Sequence, residues 1–363
     1  MESLEVVPFG GIYKGLRVLV TGHTGFKGSW LALWLARLGA NVTGISLDPA
    51  TTPNHWNAIT QCATDIRVDI RDLDATIRGI QSCEPDIVFH LAAQTLVRES
   101  YEQPLTSWST NVMGTANVLE ACRRTPSVRA IVAATTDKVY ANQEWDWGYR
   151  ENDRLGGHDP YSASKAAVEL VADSYQKSYF HLDGSPLLAT VRAGNVFGGG
   201  DWALGRLIPD VVRACLTNGS LEIRSPMSVR PWQHVLECLS GYLMLGRRLL
   251  NGDVSCASAW NFGPPATDCR TVLGLLELMK SYWPELSWTA STTPGPHEAA
   301  MLSLDCSKAH RQLGWAPTLR LHEALALTTQ WYRHFYEAGA TVSEAQLDYY
   351  VNAAQQRNCA WNV

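Results

Sequence analysis

The sequence predicts an α/β fold, with a doubly wound parallel sheet and a smaller C-terminal lobe. Through the first half of the chain, apolar and β-branched runs of strand length alternate with helical patterns, as expected for βαβ units whose strands are buried on both faces. A glycine-rich loop follows the first of these runs directly. Beyond residue 194, glycine and proline divide the pattern into shorter pieces, which favours a separate and less regular lobe.

The predicted elements follow one another in the order that a βαβ chain requires. Strands are expected at 16–21, 41–47, 86–92, 128–134 and 186–192, and helices at 26–38 and 161–179. We expect the sheet domain to comprise 1–191 with a return segment at 233–262, the lobe 192–232 and 263–345, and a C-terminal tail 346–363.

Composition excludes several classes of function. The 363 residues carry a net charge of -5 and no basic run longer than two residues, so nucleic acid is not an expected partner. No apolar stretch approaches the ~18 residues of a membrane span, and the first 20 residues lack the apolar core of a signal peptide. Nine dispersed cysteines without a Cys-x-x-Cys pair indicate reduced thiols in the cytoplasm and no metal site.

The glycine loop predicts a dinucleotide site. Gly22, Gly25 and Gly28 follow a predicted strand and open a predicted helix, where glycine lets the backbone approach a pyrophosphate held at the helix N-terminus. This arrangement of strand, glycine loop and helix is typical of the Rossmann fold. An ordinary tight turn is the alternative. The loop residues expected to bind the cofactor are Gly22, His23, Thr24, Gly25, Phe26 and Gly28.

The residues after the next strand favour NAD over NADP. Asp48 comes 20 residues after Gly28, where a carboxylate accepts hydrogen bonds from the adenosine ribose. NADP requires a cation there, and no Lys or Arg occurs from Ala40 to Ile66. Lys27 is the one residue that argues for NADP, and its alternative role is a solvated lysine at the start of a helix.

Further cofactor contacts are expected where the next two strands end. Asp69 is placed to meet the adenine amine with Ile70 beside it, although Asp69 is equally a helix cap for the segment from Asp72 onward. The fourth strand ends in small residues that let the cofactor pass close by. These residues are Leu91, Ala92, Ala93 and Gln94.

Two polar motifs predict acid–base chemistry beside a hydride site. Tyr161 and Lys165 are one helical turn apart, so the lysine can stabilise a phenolate. A tyrosine with a pKa near 10 needs about 4 kcal/mol of such stabilisation to work at pH 7. A Tyr–Lys pair on a helix surface is the alternative. The triplet Thr136-Asp137-Lys138 follows a predicted strand and adds a carboxyl group.

Together these motifs resemble the extended short-chain dehydrogenase/reductases, which act mostly on nucleotide sugars. The shared motifs are Thr-Gly-x-x-Gly-x-x-Gly at 21–28, Leu-Ala-Ala at 91–93, Asn-Val-x-Gly-Thr at 111–115 and Tyr-x-x-x-Lys at 161–165. More specific segments at 144–152, 191–196, 200–202 and 230–235 resemble the branch that dehydrates CDP-glucose. The resemblance implies a cycle of oxidation at carbon 4, loss of water across carbons 5 and 6, and hydride return to carbon 6.

The resemblance also implies roles for the catalytic residues. Tyr161 takes the proton of the carbon 4 hydroxyl, Thr136 orients that hydroxyl, and Asp137 protonates the departing hydroxyl. Related dehydratases carry glutamate as the carbon 5 base where this chain has Lys138. As a base near pH 7, Lys138 needs its pKa lowered by about 3 units. Alternatively it stays charged and stabilises the enolate.

A nucleotide-sugar substrate, CDP-glucose by resemblance, requires cations for its diphosphate. The expected substrate residues are Gln94, Arg98, Arg192, Asn195, Arg206, Arg230 and His297. For each arginine, a surface salt bridge is the alternative. The family is commonly dimeric through paired long helices, here 104–125 and 161–179, and the resemblance suggests deoxysugar supply for a bacterial surface polysaccharide. The rival functions are another NAD-dependent dehydratase or epimerase of nucleotide sugars, and a non-catalytic dinucleotide-binding regulator.

Overall fold

The computed structural model describes residues 7–291 and 299–362. Its centre is a seven-stranded sheet in which every neighbouring pair is parallel. The strands of this sheet are β1 (Arg17–Thr21), β2 (Asn41–Ser46), β3 (Thr64–Arg67), β4 (Ile87–His90), β5 (Ala130–Ala134), β6 (Leu187–Ala193) and, later in the chain, β11 (Ala259–Phe262). Their spatial order is β11-β6-β5-β4-β1-β2-β3.

Helices cover both faces of the sheet. The helices of the first half are α1 (Phe26–Arg37), α2 (His55–Ala58), α3 (Leu73–Cys83), α4 (Val97–Glu102), α5 (Pro104–Trp108), α6 (Gly114–Arg123) and α7 (Pro160–Ser178). Those of the second half are α8 (Leu207–Leu216), α9 (Val235–Leu250), α10 (Val272–Lys280), α11 (Leu321–Ala338) and α12 (Ser343–Gln356). Two apolar clusters, one on each face, form the core. The predicted doubly wound α/β fold is confirmed.

The chain leaves the sheet after β6 and returns to it with β11. Between them it forms short strands, β7 (Asn195–Phe197), β8 (Leu221–Ile223), β9 (Val229–Arg230) and β10 (Trp232–His234); β12 (Arg270–Thr271) and β13 (Trp288–Ala290) follow later. These six strands pair as β7–β10, β8–β13 and β9–β12. Helix α9 then packs on β5 and β6 before β11 joins the edge. The boundaries of the predicted domain and lobe stay a prediction.

The C-terminal segment is packed rather than a loose tail. Tyr350 of α12 lies edge-on to Trp34 of α1 and stacks on Trp361 at 5.6 Å. The carboxylate of Glu237 on α9 accepts hydrogen bonds from the Tyr350 hydroxyl and from the backbone N–H groups of residues 318 and 319. These contacts tie the end of the chain to the core.

Among residues 7–291 and 299–362, no helix combines the length and apolar character needed to cross a membrane. The same residues contain no group of three or more His, Cys, Asp or Glu side chains arranged to hold a metal ion.

Candidate active site

The glycine loop is packed too tightly for side chains at two of its positions. Gly22 has a φ of 75°, and a Cβ there would lie 2.7 Å from the backbone nitrogen of Ala92. A Cβ on Gly28 would lie 2.1 Å from the Gly22 carbonyl oxygen. The loop therefore sits directly against the end of β4, and α1 begins directly against the loop. Gly25 caps α1 without a side-chain hydrogen bond, so the first N–H groups of this helix are available to an anion.

The side chains of His23 and Thr24 brace this loop. Thr24 Oγ1 lies 2.7 Å from Ser46 Oγ and donates to the Leu47 carbonyl at 3.0 Å. The His23 ring is fully buried, and its Nε2 lies 3.0 Å from an Asp65 oxygen. Because both side chains face β2 and β3, they hold the loop in place, and only their backbone atoms are free to meet a cofactor.

Asp48 lies just beyond β2 with its side chain 89% exposed. Arg67 at the end of β3 forms an ion pair with it, with Nε 3.2 Å from the carboxylate, and also donates to the Leu47 carbonyl. The sequence showed no cation between residues 40 and 66, but the neighbouring strand brings one to the same place. A search of the residues that follow one strand cannot detect a residue that the neighbouring strand places beside them.

The other predicted cofactor residues lie along the ends of β3 and β4. The Asp69 carboxylate pairs with Arg71, and Asp72 caps α3 by accepting from the Ala75 N–H at 2.9 Å. The competing interpretation of Asp69 as the cap is therefore wrong. Ile70 is buried against Gly114. The backbone N–H groups after β4, those of Leu91 and Ala92, donate to Thr21 Oγ1 at 3.2 Å. Ala93 is half-buried beside them.

Asn111 organises the end of β4 and was not among the predicted site residues. Its side chain accepts from the Gln94 N–H at 2.9 Å and donates to the Gln94 carbonyl at 3.0 Å and to Ser164 Oγ at 2.9 Å. It is fully buried and links Gln94 to the helix that carries Tyr161. The signal was present in the Asn-Val-x-Gly-Thr motif, which the sequence analysis used only for the family resemblance.

Tyr161 and Lys165 occupy the first turns of α7 and face inward. Both side chains are buried, and Lys165 Nζ donates to the Ala134 carbonyl at the end of β5 at 2.9 Å. Asp159 caps the helix by accepting from the Ser162 N–H at 2.9 Å. The alternative of a Tyr–Lys pair on a helix surface is therefore wrong, because α7 turns this face toward the carboxyl end of the sheet.

The triplet Thr136-Asp137-Lys138 follows β5 and enters a short 3₁₀ turn, Asp137–Val139. Thr136 Oγ1 accepts from the Lys138 N–H and donates to Asp137 Oδ1 at 3.0 Å. The Asp137 carboxyl is buried, and its Oδ2 has no hydrogen-bond partner among the described residues. Burial raises the pKa of Asp137, against the charges of Lys138, Arg230 and Lys27. A raised pKa favours the protonated form that a general acid requires.

The Tyr161 phenol interacts with this turn and with the lobe. Burial raises the pKa of Tyr161 to about 12, the Asp137 charge adds to the rise, and a hydrogen bond with Thr136 and the charge of Arg206 oppose it. The stabilisation that a phenolate needs at pH 7 is then roughly 7 kcal/mol. This exceeds the amount expected from sequence, because the sequence does not reveal the burial.

Lys27 belongs to this cluster, although its sequence position also suits a solvated lysine. Burial lowers the pKa of Lys165 to about 8, the Lys27 charge lowers it further, and Glu169 opposes the change. Lys27 also acts on the Asp137 carboxyl. The first turn of α1 thus places Lys27, a second cation, where its charge acts on Lys165 of the Tyr–Lys pair.

The pH dependence of kcat/KM is expected to report Lys165. Its charge is present below a pKa of about 8 and lost above it, so activity is expected to fall on the alkaline side. Lys27→Met removes a neighbouring cation, which raises the pKa of Lys165 and moves the fall to higher pH. Lys177→Met, at an exposed position of the same helix, is the control and leaves the profile unchanged. An unmoved profile in Lys27→Met would contradict the prediction.

Of the predicted substrate residues, Arg206 and Arg230 lie by the catalytic groups. Arg206 is one-third exposed, pairs with Asp201 at 3.0 Å and donates to Thr95 Oγ1 at 2.8 Å. Arg230 is buried at the end of β9, and its charge acts on Asp137. Arg98 is exposed on α4, with its stem near Gly205, and Asn195 is half-buried in β7. His297 lies outside the described residues.

The prediction of a diphosphate contact at Arg192 is corrected. Its side chain is 3% exposed and forms a buried ion pair with Glu169, with Nε 2.9 Å from one carboxylate oxygen and Nη2 3.0 Å from the other. The third nitrogen donates to the Tyr140 hydroxyl and the Glu151 carbonyl. Each guanidinium nitrogen already has a protein partner, so Arg192 is a structural cation beneath the site.

Comparison with known proteins places this arrangement in a family. Residues 18–257 match the NAD dependent epimerase/dehydratase family. The chain belongs to that family. Its NAD dependence agrees with the cofactor predicted from the glycine loop and Asp48.

Relatives within the NAD dependent epimerase/dehydratase family include enzymes of both named kinds. A CDP-glucose 4,6-dehydratase of Salmonella typhimurium is 48% identical over 330 residues, 88% of this chain and 91% of that protein. The solved dTDP-glucose 4,6-dehydratase DesIV of Streptomyces venezuelae, with NAD and TYD bound, has a TM-score of 0.74 and 26% identity over 88% of this chain and 97% of its own. A Thermus thermophilus UDP-glucose 4-epimerase in complex with NAD has a TM-score of 0.77 and 25% identity over 88% and 99%.

Proposed function

We propose that this protein is a hydro-lyase that converts CDP-glucose to CDP-4-dehydro-6-deoxyglucose, with NAD as a cofactor regenerated in each cycle. The observation that carries the proposal is the Asp137 carboxyl, buried and interacting with the Tyr161 phenol. Epimerisation does not require an acid at this position, whereas elimination of a hydroxyl does. The 48% identical relative is a CDP-glucose 4,6-dehydratase, which supports the choice of substrate.

The loop at the start of α1 fits NAD. Its uncapped N–H groups and closely packed glycines suit the pyrophosphate, and Asp48 is exposed where the adenosine ribose is expected. Bound NAD supplies the hydride acceptor for the oxidation and the donor for the final reduction. The protein has to place carbon 4 of the sugar next to Tyr161.

Tyr161 accepts the proton of the carbon 4 hydroxyl while Thr136 orients that hydroxyl. The Lys165 charge stabilises the resulting phenolate. Once carbon 4 is a ketone, the hydrogen on carbon 5 becomes acidic and the carbon 6 hydroxyl is placed for β-elimination. Asp137 then protonates that hydroxyl as it leaves. Lys138, its neighbour in the same turn, is proposed as the acceptor of the carbon 5 proton, with charge stabilisation of the enolate as the alternative role.

The substrate diphosphate is proposed to lie among the cations of the lobe. The charge of Arg230 acts on the Asp137 carboxyl and that of Arg206 on the Tyr161 phenol. Arg98, an exposed cation whose stem lies near Gly205, is proposed to point toward the sugar. Gln94 is proposed to contact the sugar, Asn195 the diphosphate or the sugar, and His297 the ribose. The choice of cytosine as the base rests on the relative.

The test is mass spectrometry of CDP-glucose after incubation with the protein and NAD, with dTDP-glucose, UDP-glucose and GDP-mannose in parallel. We expect CDP-glucose alone to lose one water, without net reduction of NAD. Loss of water from a different nucleotide sugar would discard the CDP assignment and keep the mechanism. Unchanged masses throughout would discard the dehydratase and favour an epimerase.

We further propose a homodimer formed through two paired long helices, the helical stretch 104–123 that contains α5 and α6, and α7. Large apolar side chains are exposed there on neighbouring helices, with Leu105 81%, Met113 57% and Leu170 63% exposed. Burying these side chains against a second copy would remove exposed apolar surface from water.

We also propose a cytoplasmic location for the protein. The proposed pathway is the supply of a deoxysugar for lipopolysaccharide O-antigen.

The dimer predicts that Leu105→Glu produces monomers, since a carboxylate in the centre of an apolar interface costs several kcal/mol when unpaired. Light scattering after size exclusion gives the mass. Leu204→Glu is the matched control, because this leucine is 72% exposed but lies in the lobe. A wild-type protein that is already monomeric would remove the proposal.

A further inference from the structure

The catalytic turn is fixed on both sides by a buried polar network. Before the turn, Thr135 Oγ1 donates to Glu169 Oε1 at 2.5 Å. After it, the Tyr140 hydroxyl accepts from Arg192 Nη1 at 2.8 Å and donates to Asn261 at 2.7 Å. Residues 136–139 therefore lie between two anchors, and the Glu169–Arg192 ion pair joins those anchors to each other.

Glu169 lies on the same helix as the proton acceptor. Tyr161, Lys165 and Glu169 are spaced by four residues, so they lie along one face of α7. All three are buried. The helix face that carries the Tyr161 phenol therefore also carries Glu169, one turn beyond Lys165. Glu169 binds Thr135, which directly precedes the catalytic turn.

The Glu169 carboxylate is satisfied from four directions. Thr135 and Arg192 Nε donate to one oxygen, and Thr190 and Arg192 Nη2 donate to the other. Burial pushes the pKa of Glu169 upward, but the hydrogen bonds and charge of Arg192 outweigh it, and the pKa is lowered. The carboxylate stays ionised, and charge-assisted hydrogen bonds of this kind are strong and directional.

We infer that Glu169, acting through Thr135, is a positioning residue that holds Asp137 in register with Tyr161. The inference rests on the proposed dehydratase function. Neither Glu169 nor Thr135 is placed to touch the substrate, since each is buried in the network beneath the turn. Their effect is on geometry, where a displacement of about 1 Å can cost a hundredfold in rate.

The register matters more for one half of the reaction than for the other. Oxidation at carbon 4 depends mainly on Tyr161 and Lys165, which α7 holds, and uses the turn only through Thr136, which orients the hydroxyl. Elimination also needs Asp137, which reaches the substrate only if the turn keeps its place. If the turn is loosened, we therefore expect oxidised sugar that has not lost water to accumulate.

The decisive comparison is Thr135→Val against Thr190→Val. Both substitutions remove one hydroxyl from the same carboxylate, and both sites are buried. Thr190 lies within β6, level with Ala133 of β5, and is not part of residues 136–139. We expect Thr135→Val to slow water loss by about 10- to 100-fold and to accumulate 4-keto sugar that retains its water, detected by mass together with reduced cofactor. Thr190→Val is expected to give the wild-type partition.

Thermal unfolding of both variants and of Thr135→Ser separates positioning from stability. Thr135→Ser keeps the hydroxyl and is expected to restore water loss. Equal partition in the two valine variants would overturn the inference, as would Thr135→Ser behaving like Thr135→Val. Wild-type protein that fails to dehydrate any nucleotide sugar would instead overturn the proposed function, so the two failures are distinct.

Discussion

Tyr161→Phe is expected to lower kcat by about 10²- to 10⁴-fold, the usual contribution of a positioned proton acceptor. The Tyr161 phenol is the proposed acceptor of the carbon 4 proton, and its buried position leaves little water to replace it. The ring itself stays, so the packing of α7 and the cofactor loop is retained. NAD binding, measured by calorimetry, is expected to be within a few-fold of wild type.

Tyr179→Phe is the control for this variant. Tyr179 directly follows α7 and is 46% exposed, so loss of its hydroxyl is expected to leave kcat unchanged. Substantial activity in Tyr161→Phe would remove this tyrosine from its role. Loss of NAD binding together with activity would show that the hydroxyl serves the cofactor site rather than proton transfer.

Asp137→Asn is expected to stop the reaction after oxidation. The amide has nearly the shape of the carboxyl but cannot supply a proton, and loss of a general acid costs about 10²- to 10⁴-fold. Rapid-quench samples analysed by mass are expected to contain sugar that has lost two hydrogens but no water, with a matching amount of reduced cofactor. In wild-type protein the same samples are expected to contain dehydrated sugar.

Asp210→Asn provides the matched control, since Asp210 is partly exposed in the first turn of α8 and pairs with Arg213. It is expected to leave both steps unchanged. If Asp137→Asn dehydrated the sugar at the wild-type rate, another acid would have to be sought. If neither the wild type nor Asp137→Asn dehydrated the sugar while both formed sugar epimers, the family's other named activity would be favoured.

Sequence alone predicted the elements and residues whose signal is local. The strands before Gly22 and Thr136 are short apolar runs, and Tyr161 and Lys165 are one helical turn apart. Such patterns survive folding because they depend on neighbours in the chain. The predicted helix 161–179 accordingly agrees with α7 to within one residue at each end.

Residues joined across the sheet could not be predicted in this way. Arg67 reaches Asp48 from the next strand, and Glu169 neutralises Arg192 from a helix packed on β6. Either arginine, taken by itself, has the features of a phosphate ligand. Only the arrangement of strands and helices reveals that Arg192 is already paired.

The order of strands has a consequence for how the chain reaches its native state. The edge of β6 that faces β11 stays unpaired until β11, residues 259–262, has been synthesised, and α9 must also arrive to cover β5 and β6. Closing such a distant pair is slow compared with local contacts. During that interval an apolar parallel edge is available to other nascent chains. Aggregation during expression, rather than low stability of the finished protein, is therefore the expected weakness of this architecture.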